Sequence, residues 1–370
     1  MQALTITELK ATTSESELPA ILDAQLQSRI AKTTRSNKPY LELTFADATG
    51  SFTLKAWSDS KLFAQAGELV DGALLRLEAD WSQNEYGIDA KRLKFRPLRA
   101  DEREAFLAGD EQTRQRQTRA WEMITACCGS LADPRLHSFC RHFLAEFGDR
   151  FRRAGAARRN HHARRGGLIE HVAQMMRSAE ALCGVYPELN RDLLLAGVLV
   201  HDCGKMWENS YPEDGFGQIV NLHGEMLGHI PLGIEVVNKL WRELVDSPAS
   251  RGWLELDPPS EVVRLHLLHL VGSHHGQHEF GSPVLPRTPE AYALHYIDNL
   301  DAKLEMVKDA YRNAAELADG IYDRQFPLPV GLVRPLPAFE AAAPSRPPGP
   351  AAQGGSAQAP QTLQPGELFG

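Results

Sequence analysis

The stretch RDLLLAGVLV, residues 191–200, is apolar around every turn of a helix. A helix without a polar face has to be enclosed by its neighbours, so this one belongs in the middle of a helical bundle. The chain then runs straight into His201 and Asp202. An ionised carboxylate beside buried apolar residues is costly unless hydrogen bonds or a cation compensate it. What surrounds Asp202 is therefore the question the sequence poses.

Histidine usage gives a first answer. All 14 histidines lie between His137 and His295. Scattered surface histidines would not segregate in this way. Several fall on or beside apolar helical faces. His171 follows Leu168 by three residues and precedes Met175 by four, so it points inward with them. His229 opens a helix just before Ile230-Pro231, His274 and His275 follow the apolar run LHLLHLVGS, and Asp298 lies four residues after Leu294. Each of these alone reads as a hydrogen-bonded core residue. As a set, neutral imidazoles with carboxylates suit first-row divalent ions: manganese first, then iron, cobalt, nickel or zinc. A His-Asp neighbour pair can ligate one ion through His and bridge two through Asp.

The remaining chain divides by pattern into a multi-domain protein. Residues 1–98 alternate as short strands: Leu41, Leu43 and Phe45 share one face, Tyr40, Glu42 and Thr44 the other, and an Asp-Ala-Thr-Gly turn at 47–50 leads to Phe52, Leu54 and Ala56. A second strand pair turns around Gln83–Gly87. Such strands with one short helix predict a small all-β Greek-key barrel. Residues 99–130 read as a charged helical connector. From 131 to 320 the pattern is helical, with Ser260-Glu261 and Thr288-Pro289 marking helix starts. Residues 337–370 are a Pro/Ala/Gly/Gln-rich tail that cannot form a core, so it is expected to be disordered. Its QPGELF end is a candidate docking peptide.

HDCGK at 201–205 matches the H-D-x-G-K signature of HD-domain phosphohydrolases. Together with GGLIEHV, GEMLGHIPLG, GSHHG, EFGSPVLPRTPEA and HYIDNLDAKLEM, it makes the chain, over residues 1–325, resemble the YhaM-type 3′→5′ exoribonucleases. That family pairs an N-terminal OB-fold with an all-α HD domain, here 131–325. The KPYLELTFADATGSFTLKAW segment is similar to OB segments of the tRNA-anticodon type. The resemblance implies two metal ions. His171, His201, Asp202 and Asp298 would hold one; Asp202, His229 and His274 or His275 the other. His274 is the first choice of that pair, and Asp301 matches less well than Asp298. The reaction implied is metal-dependent release of nucleoside monophosphates from the 3′ end of single-stranded RNA, with single-stranded DNA as a second substrate.

Asp202 and Lys205 carry the catalytic expectation: the carboxylate bridges the ions, and Lys205 is placed to reach a phosphate oxygen. The alternative for Lys205 is a cation favoured by a helix C-terminus. Gly204 is expected in a left-handed conformation that ends the helix. Cys203 is assigned only a packing role. For nucleic-acid contact the candidates are Arg164 and Arg165 from the basic run 150–165, His161 and His162, and the barrel aromatics Trp57, Trp81 and Tyr86, the last two placed at a hairpin tip. Tyr40, Lys32, Arg35, Lys38 and Lys55 supply further aromatic and basic surface.

Composition excludes some classes. No run of about 18 apolar residues implies a membrane span, and MQALTITELK shows no basic flank or apolar stretch of a secretory signal. The 5 cysteines are an odd number without zinc-like spacing, which fits reduced thiols in a cytoplasm. A net charge of −8 confines any nucleic-acid contact to local patches. Two rival readings stand beside the exonuclease. One is a hydrolase of nucleotides or cyclic dinucleotides, although GQHEFGSP lacks the Gly-Tyr-Pro motif of the cyclic-dinucleotide branch. The other is a single-strand-binding protein with a relic HD domain, although every matched ligand position is filled. Metal identity and assembly into a homo-oligomer are open at this level.

Overall fold

In the computed structural model the described residues are 1–337, apart from 14–15, 35, 85–86, 159–163 and 214. The expected disordered tail, Arg35, Tyr86, His161 and His162 thus lie outside them. The chain begins with β1 (Gln2–Leu4) and α1 (Ile6–Thr12), the latter held by a capping box between Thr5 and Glu8. Strands β2 (Leu18–Thr33), β3 (Pro39–Ala46) and β4 (Ser51–Trp57) follow, then α2 (Lys61–Ala66), β5 (Leu74–Asn84) and β6 (Gly87–Pro97). The sheet order is β4-β3-β2-β5-β6, with β1 parallel to β2. β2 serves two neighbours: Leu18–Gln25 pairs with β5 and Gln25–Thr33 with β3, the register shifting between Leu26 and Ser28. Such a bulge bends a strand. β4 and β6 come into contact at the far side, and the five long strands form the small Greek-key barrel of an OB-fold.

Period-two alternation fills the barrel. Leu43 and Phe45 of β3 and Phe52 and Leu54 of β4 are buried, as are Leu75, Leu77 and Ala79 of β5. Trp81 continues that last series and corrects the expectation for it. Its ring is fully buried edge-on to Phe52, and its indole N–H donates to the Ala20 carbonyl at 3.1 Å. Trp81 is core, not hairpin tip, and cannot touch a strand outside.

α3 (Ala100–Ala108) is pinned to the barrel by one carboxylate. Glu102 accepts from Arg96 twice at 2.7 Å, and pairs with Arg76 at 2.8 Å and Arg99 at 2.9 Å. The Arg96 hydrogen bonds pull its carboxyl down to about 2. A carboxyl depressed in the folded state stabilises fully above its unfolded value of about 4.3, and that contribution fades as pH falls towards the folded value. Glu102→Gln is therefore expected to melt below the parent at pH 7 and to converge with it near pH 2–3. Thermal unfolding against pH checks this; a gap that persists at the acid end would show that packing, not charge, is at work.

The helical part comprises α4 (Glu111–Gly129), α5 (Pro134–Arg153), α6 (Gly167–Val185), α7 (Arg191–Val200), α8 (Lys205–Glu208), α9 (Leu222–Leu227), α10 (His229–Val245), α11 (Ser260–Ser273) and α12 (Pro289–Asn313). α7 lies at the centre, buried from Leu193 to Val200 and packed by α5, α6, α11 and α12. The connector is helical, and the second half of α4 enters this core through Ala120, Ile124, Cys127 and Cys128. Helix was expected as far as residue 320; instead α12 stops at Asn313 and a small hairpin follows, β7 (Glu316–Ala318) and β8 (Ile321–Tyr322).

Barrel and bundle are joined by the segment after α8. The Gln25 side chain accepts the N–H groups of Phe216 at 2.7 Å and Gly217 at 3.1 Å. Phe216 packs on Ala46 and Ala48 and edge-on against Phe106. Among the described residues, no helix is long and apolar enough to cross a membrane.

Candidate metal centre

α7 delivers His201 and Asp202 into the bundle interior, 0% and 1% exposed. Four further elements bring side chains towards them: His171 from α6, His229 from the start of α10, His274 and His275 from the end of α11, and Asp298 from α12. The two oxygens of Asp202 face different groups. Oδ2 lies 3.3 Å from His201 Nε2 and 3.8 Å from His171 Nε2, and the latter is 3.3 Å from Asp298 Oδ1. Oδ1 lies 3.5 Å from His274 Nε2 and 3.6 Å from His229 Nε2, which is 3.3 Å from His275 Nε2. His171, His201 and Asp202 thus form one set of converging donors, and His229, His274 and His275 a second. Both histidines of the 274–275 pair face the second set.

Each imidazole is oriented from behind through Nδ1. His171 is held by Asp301 Oδ2 at 2.7 Å and His229 by Glu208 Oε2 at 2.7 Å. His201 is held by the Val198 carbonyl at 2.9 Å, His274 by Val271 at 2.8 Å and His275 by Phe280 at 2.5 Å. A proton on Nδ1 leaves the Nε2 lone pair directed inward, the tautomer a metal requires. The fit to a cation is visible in what is left over. Among the described residues, the buried His201 Nε2, His274 Nε2 and Asp202 Oδ1 carry no hydrogen bond. Each such atom costs about 1–3 kcal/mol. An ion on either side of Asp202 would satisfy all three.

The electrostatics agree. Burial opposes the charge on Asp202, yet Lys205 and His201 hold its carboxyl well below the usual range. Lys205 Nζ donates to Oδ2 at 2.6 Å, so its ammonium sits on the proposed bridging carboxylate. Burial lowers His274, and burial together with His274 brings His275 down to about 4. Both are neutral and available at neutral pH. His171 is the exception. Burial pulls it down, but Asp298 and Asp301 outweigh that and raise it to about 9. An imidazole set between two carboxylates marks a place where positive charge is favoured.

Asp301 and Glu208 stand directly behind the inner histidines, and the sequence reading missed or undervalued them. Asp301 is the carboxylate behind His171 and not a member of the inner set. Its only sequence signal is its i+3 spacing from Asp298. Glu208→Gln is expected to weaken divalent-ion binding about 10–100-fold, because His229 loses its anionic acceptor and the amide, able to donate as well as accept, no longer fixes the tautomer. Competition with a fluorescent chelator measures this; unchanged affinity would mean Glu208 is only a surface carboxylate.

Other expectations change. Gly204 has φ −63° and ψ −21°, ordinary right-handed backbone, so it is no left-handed helix stop. Its lack of a side chain serves contact instead: a Cβ there would lie 1.9 Å from the His229 carbonyl oxygen. Cys203 is buried with its thiol pushed upward by burial, consistent with packing. Arg165 is turned inward onto the carbonyls of Pro212, Glu213 and Gly215 and over the Phe216 ring, so it braces the inter-domain segment and does not face a strand. Arg164 pairs with Glu170. Trp57 is 40% exposed and packs on Tyr40 with centroids 5.0 Å apart, beside Lys55 and Lys32 on the same sheet.

Comparisons with known proteins agree with this architecture. Residues 168–303 match the model of the HD domain family. The chain is 35% identical over 310 residues to "3'-5' exoribonuclease YhaM" of Geobacillus sp. (strain WCH70), covering 81% of this chain and 89% of that protein. It is 34% identical over 278 residues to the protein of the same name from Bacillus licheniformis, covering 74% and 82%. Among solved structures, the second OB-fold domain of replication protein A from Methanococcus maripaludis aligns with 26% of this chain and all of its own, at 15% identity and a TM-score of 0.19. At that score the barrel assignment rests on strand topology alone. With an OB barrel, an HD bundle and this identity over most of both lengths, the chain belongs to the YhaM family of 3′→5′ exoribonucleases.

Proposed function

We propose that this protein is a metal-dependent exoribonuclease that shortens single-stranded RNA from the 3′ end and releases nucleoside monophosphates. The observation that carries the reading is the division of Asp202: each carboxylate oxygen faces its own set of buried histidines. Two divalent ions held there would supply hydroxide near neutral pH and offset the charge of the phosphodiester.

The chain's own groups do the rest. Asp301, Glu208 and the three backbone carbonyls engage each Nδ1 and so aim each Nε2 inward; at His171 the proton that Asp298 and Asp301 favour would give way to a bound cation. Lys205, 13% exposed, is free to leave Asp202 for a phosphate oxygen once that carboxylate is otherwise neutralised. Exposed Trp57 with Tyr40 offers a stacking platform, which tolerates any base and either sugar, so single-stranded DNA is the second substrate. The filled ligand set supports hydrolysis over a relic HD domain, and the barrel supports a polymer over a free nucleotide.

Incubation of 5′-labelled single-stranded RNA with Mn²⁺ tests the reading. A ladder shortening from the 3′ end is expected. Loss of full-length label straight to mononucleotide would reverse the polarity, and intact RNA with hydrolysed free nucleotides would move the protein to the rival class.

A further inference from the structure

A groove of about 1060 Å³ lies between barrel and bundle, with Thr7 and Thr49 on the barrel side and α4, α6 and α12 on the other. Its acidic groups are engaged. Glu170 is held by Arg116 and Arg164, Glu305 by Lys308 and Glu111 by Arg114. Asp110 caps α4, and Glu8 caps α1. Among the described residues three exposed cations remain, one from each helix. Arg119 and Arg177 make no ion pair among the described residues, and Arg312, 70% exposed, has only Asp309 at 3.6 Å. Three guanidiniums converging from three helices without saturating carboxylates leave an unneutralised positive track.

The track is laid out along the helices that build the metal centre. Arg177 lies six residues past His171 on α6, about 9 Å along the axis, and Arg312 lies fourteen past Asp298 on α12, about 21 Å, at 1.5 Å per residue. Along α12 positive charge thus reaches well away from the metal centre, and charge extending that far from a reacting end suits a polyanion and not a small anion. Among the described residues no aromatic ring lines the groove, so the contacts these residues offer are to phosphate and sugar and not to bases. At about 3.4 Å per stacked nucleotide the longer arm spans roughly six nucleotides.

We propose that this groove holds the phosphate backbone of single-stranded nucleic acid behind the 3′ end, as a binding track separate from the Trp57 platform. The proposal rests on the exoribonuclease reading for its direction, though not for its binding. The double variant Arg119→Ala/Arg177→Ala tests it in the full chain, since both side chains are exposed. Affinity for a 20-nucleotide RNA is measured between 50 and 200 mM salt, and kcat/KM is compared on that RNA and on a dinucleotide too short to reach the track. Two lost phosphate contacts, at about 0.7 each, should reduce the slope of log K against log salt by about 1.4. The loss of kcat/KM on the 20-mer should exceed the loss on the dinucleotide about tenfold. An unchanged slope, or equal losses on both substrates, overturns the track. If the parent binds RNA with a slope that the variant loses, yet cuts nothing, the track stands and the exoribonuclease reading falls.

Discussion

Asp202→Asn is expected to lower RNA hydrolysis by at least about 10²–10³-fold, the size of loss seen when a key electrostatic group is removed. Strand binding by the barrel should be unchanged. Asparagine keeps the volume but offers one acceptor oxygen and no charge. It cannot serve the His171–His201 set through Oδ2 and the His229–His274 set through Oδ1 together. Bound metal should fall with activity. A second effect comes from Lys205, whose ammonium loses its anionic partner at 2.6 Å. Stranding one member of a buried pair costs about 3–5 kcal/mol, and the 13% exposure of Lys205 reduces that. The double variant Asp202→Asn/Lys205→Met should recover thermal stability without recovering activity. Normal degradation of RNA by purified Asp202→Asn would remove the HD site from the chemistry altogether.

Gly204→Ala should be almost as damaging for a different reason. The added methyl would meet the His229 carbonyl oxygen at 1.9 Å, its carbon at 2.7 Å and its Cα at 2.8 Å. These are backbone atoms at the first residue of α10, so no rotamer change relieves them. Either α8 or α10 must move, and His229 stands on α10 between Asp202, His275 and Glu208. Overpacking of this kind costs about 1–3 kcal/mol or more, and a displacement of about 1 Å at a reacting centre costs about 10²-fold in rate. Gly184→Ala in α6, where nothing lies within 4 Å, is the matched control and should not destabilise. Thermal melts and metal titrations of the pair decide the matter. If Gly204→Ala melts and binds metal like the control, the α8–α10 approach is looser than described.

Much of the inner set was legible because apolar periodicity fixes direction. His171 had to point where Leu168 and Met175 point, and Asp298 where Leu294 points. The same rule held the answer for Trp81: 75, 77, 79 and 81 share one face of β5, and closeness to a turn was the wrong guide. What stayed hidden depends on tertiary approach. Asp301 is 130 residues from His171 in sequence. The demand for glycine at 204 arises from a helix that starts at His229, not from its own dihedrals. Arg165 read as a strand contact because the carbonyls it holds belong to Pro212, Glu213 and Gly215, and nothing in its own segment announces them.

The shared carboxylate has a consequence for how this centre can fail. Damage to His171 or Asp298 falls on one half, and damage to His229 or His275 on the other, so each half can be disabled while its neighbour is left standing. Position 202 allows no such partial lesion, since both halves hang on a single side chain. The centre therefore has two separable arms and one point of common failure, set at the end of a helix buried from Leu193 to Val200.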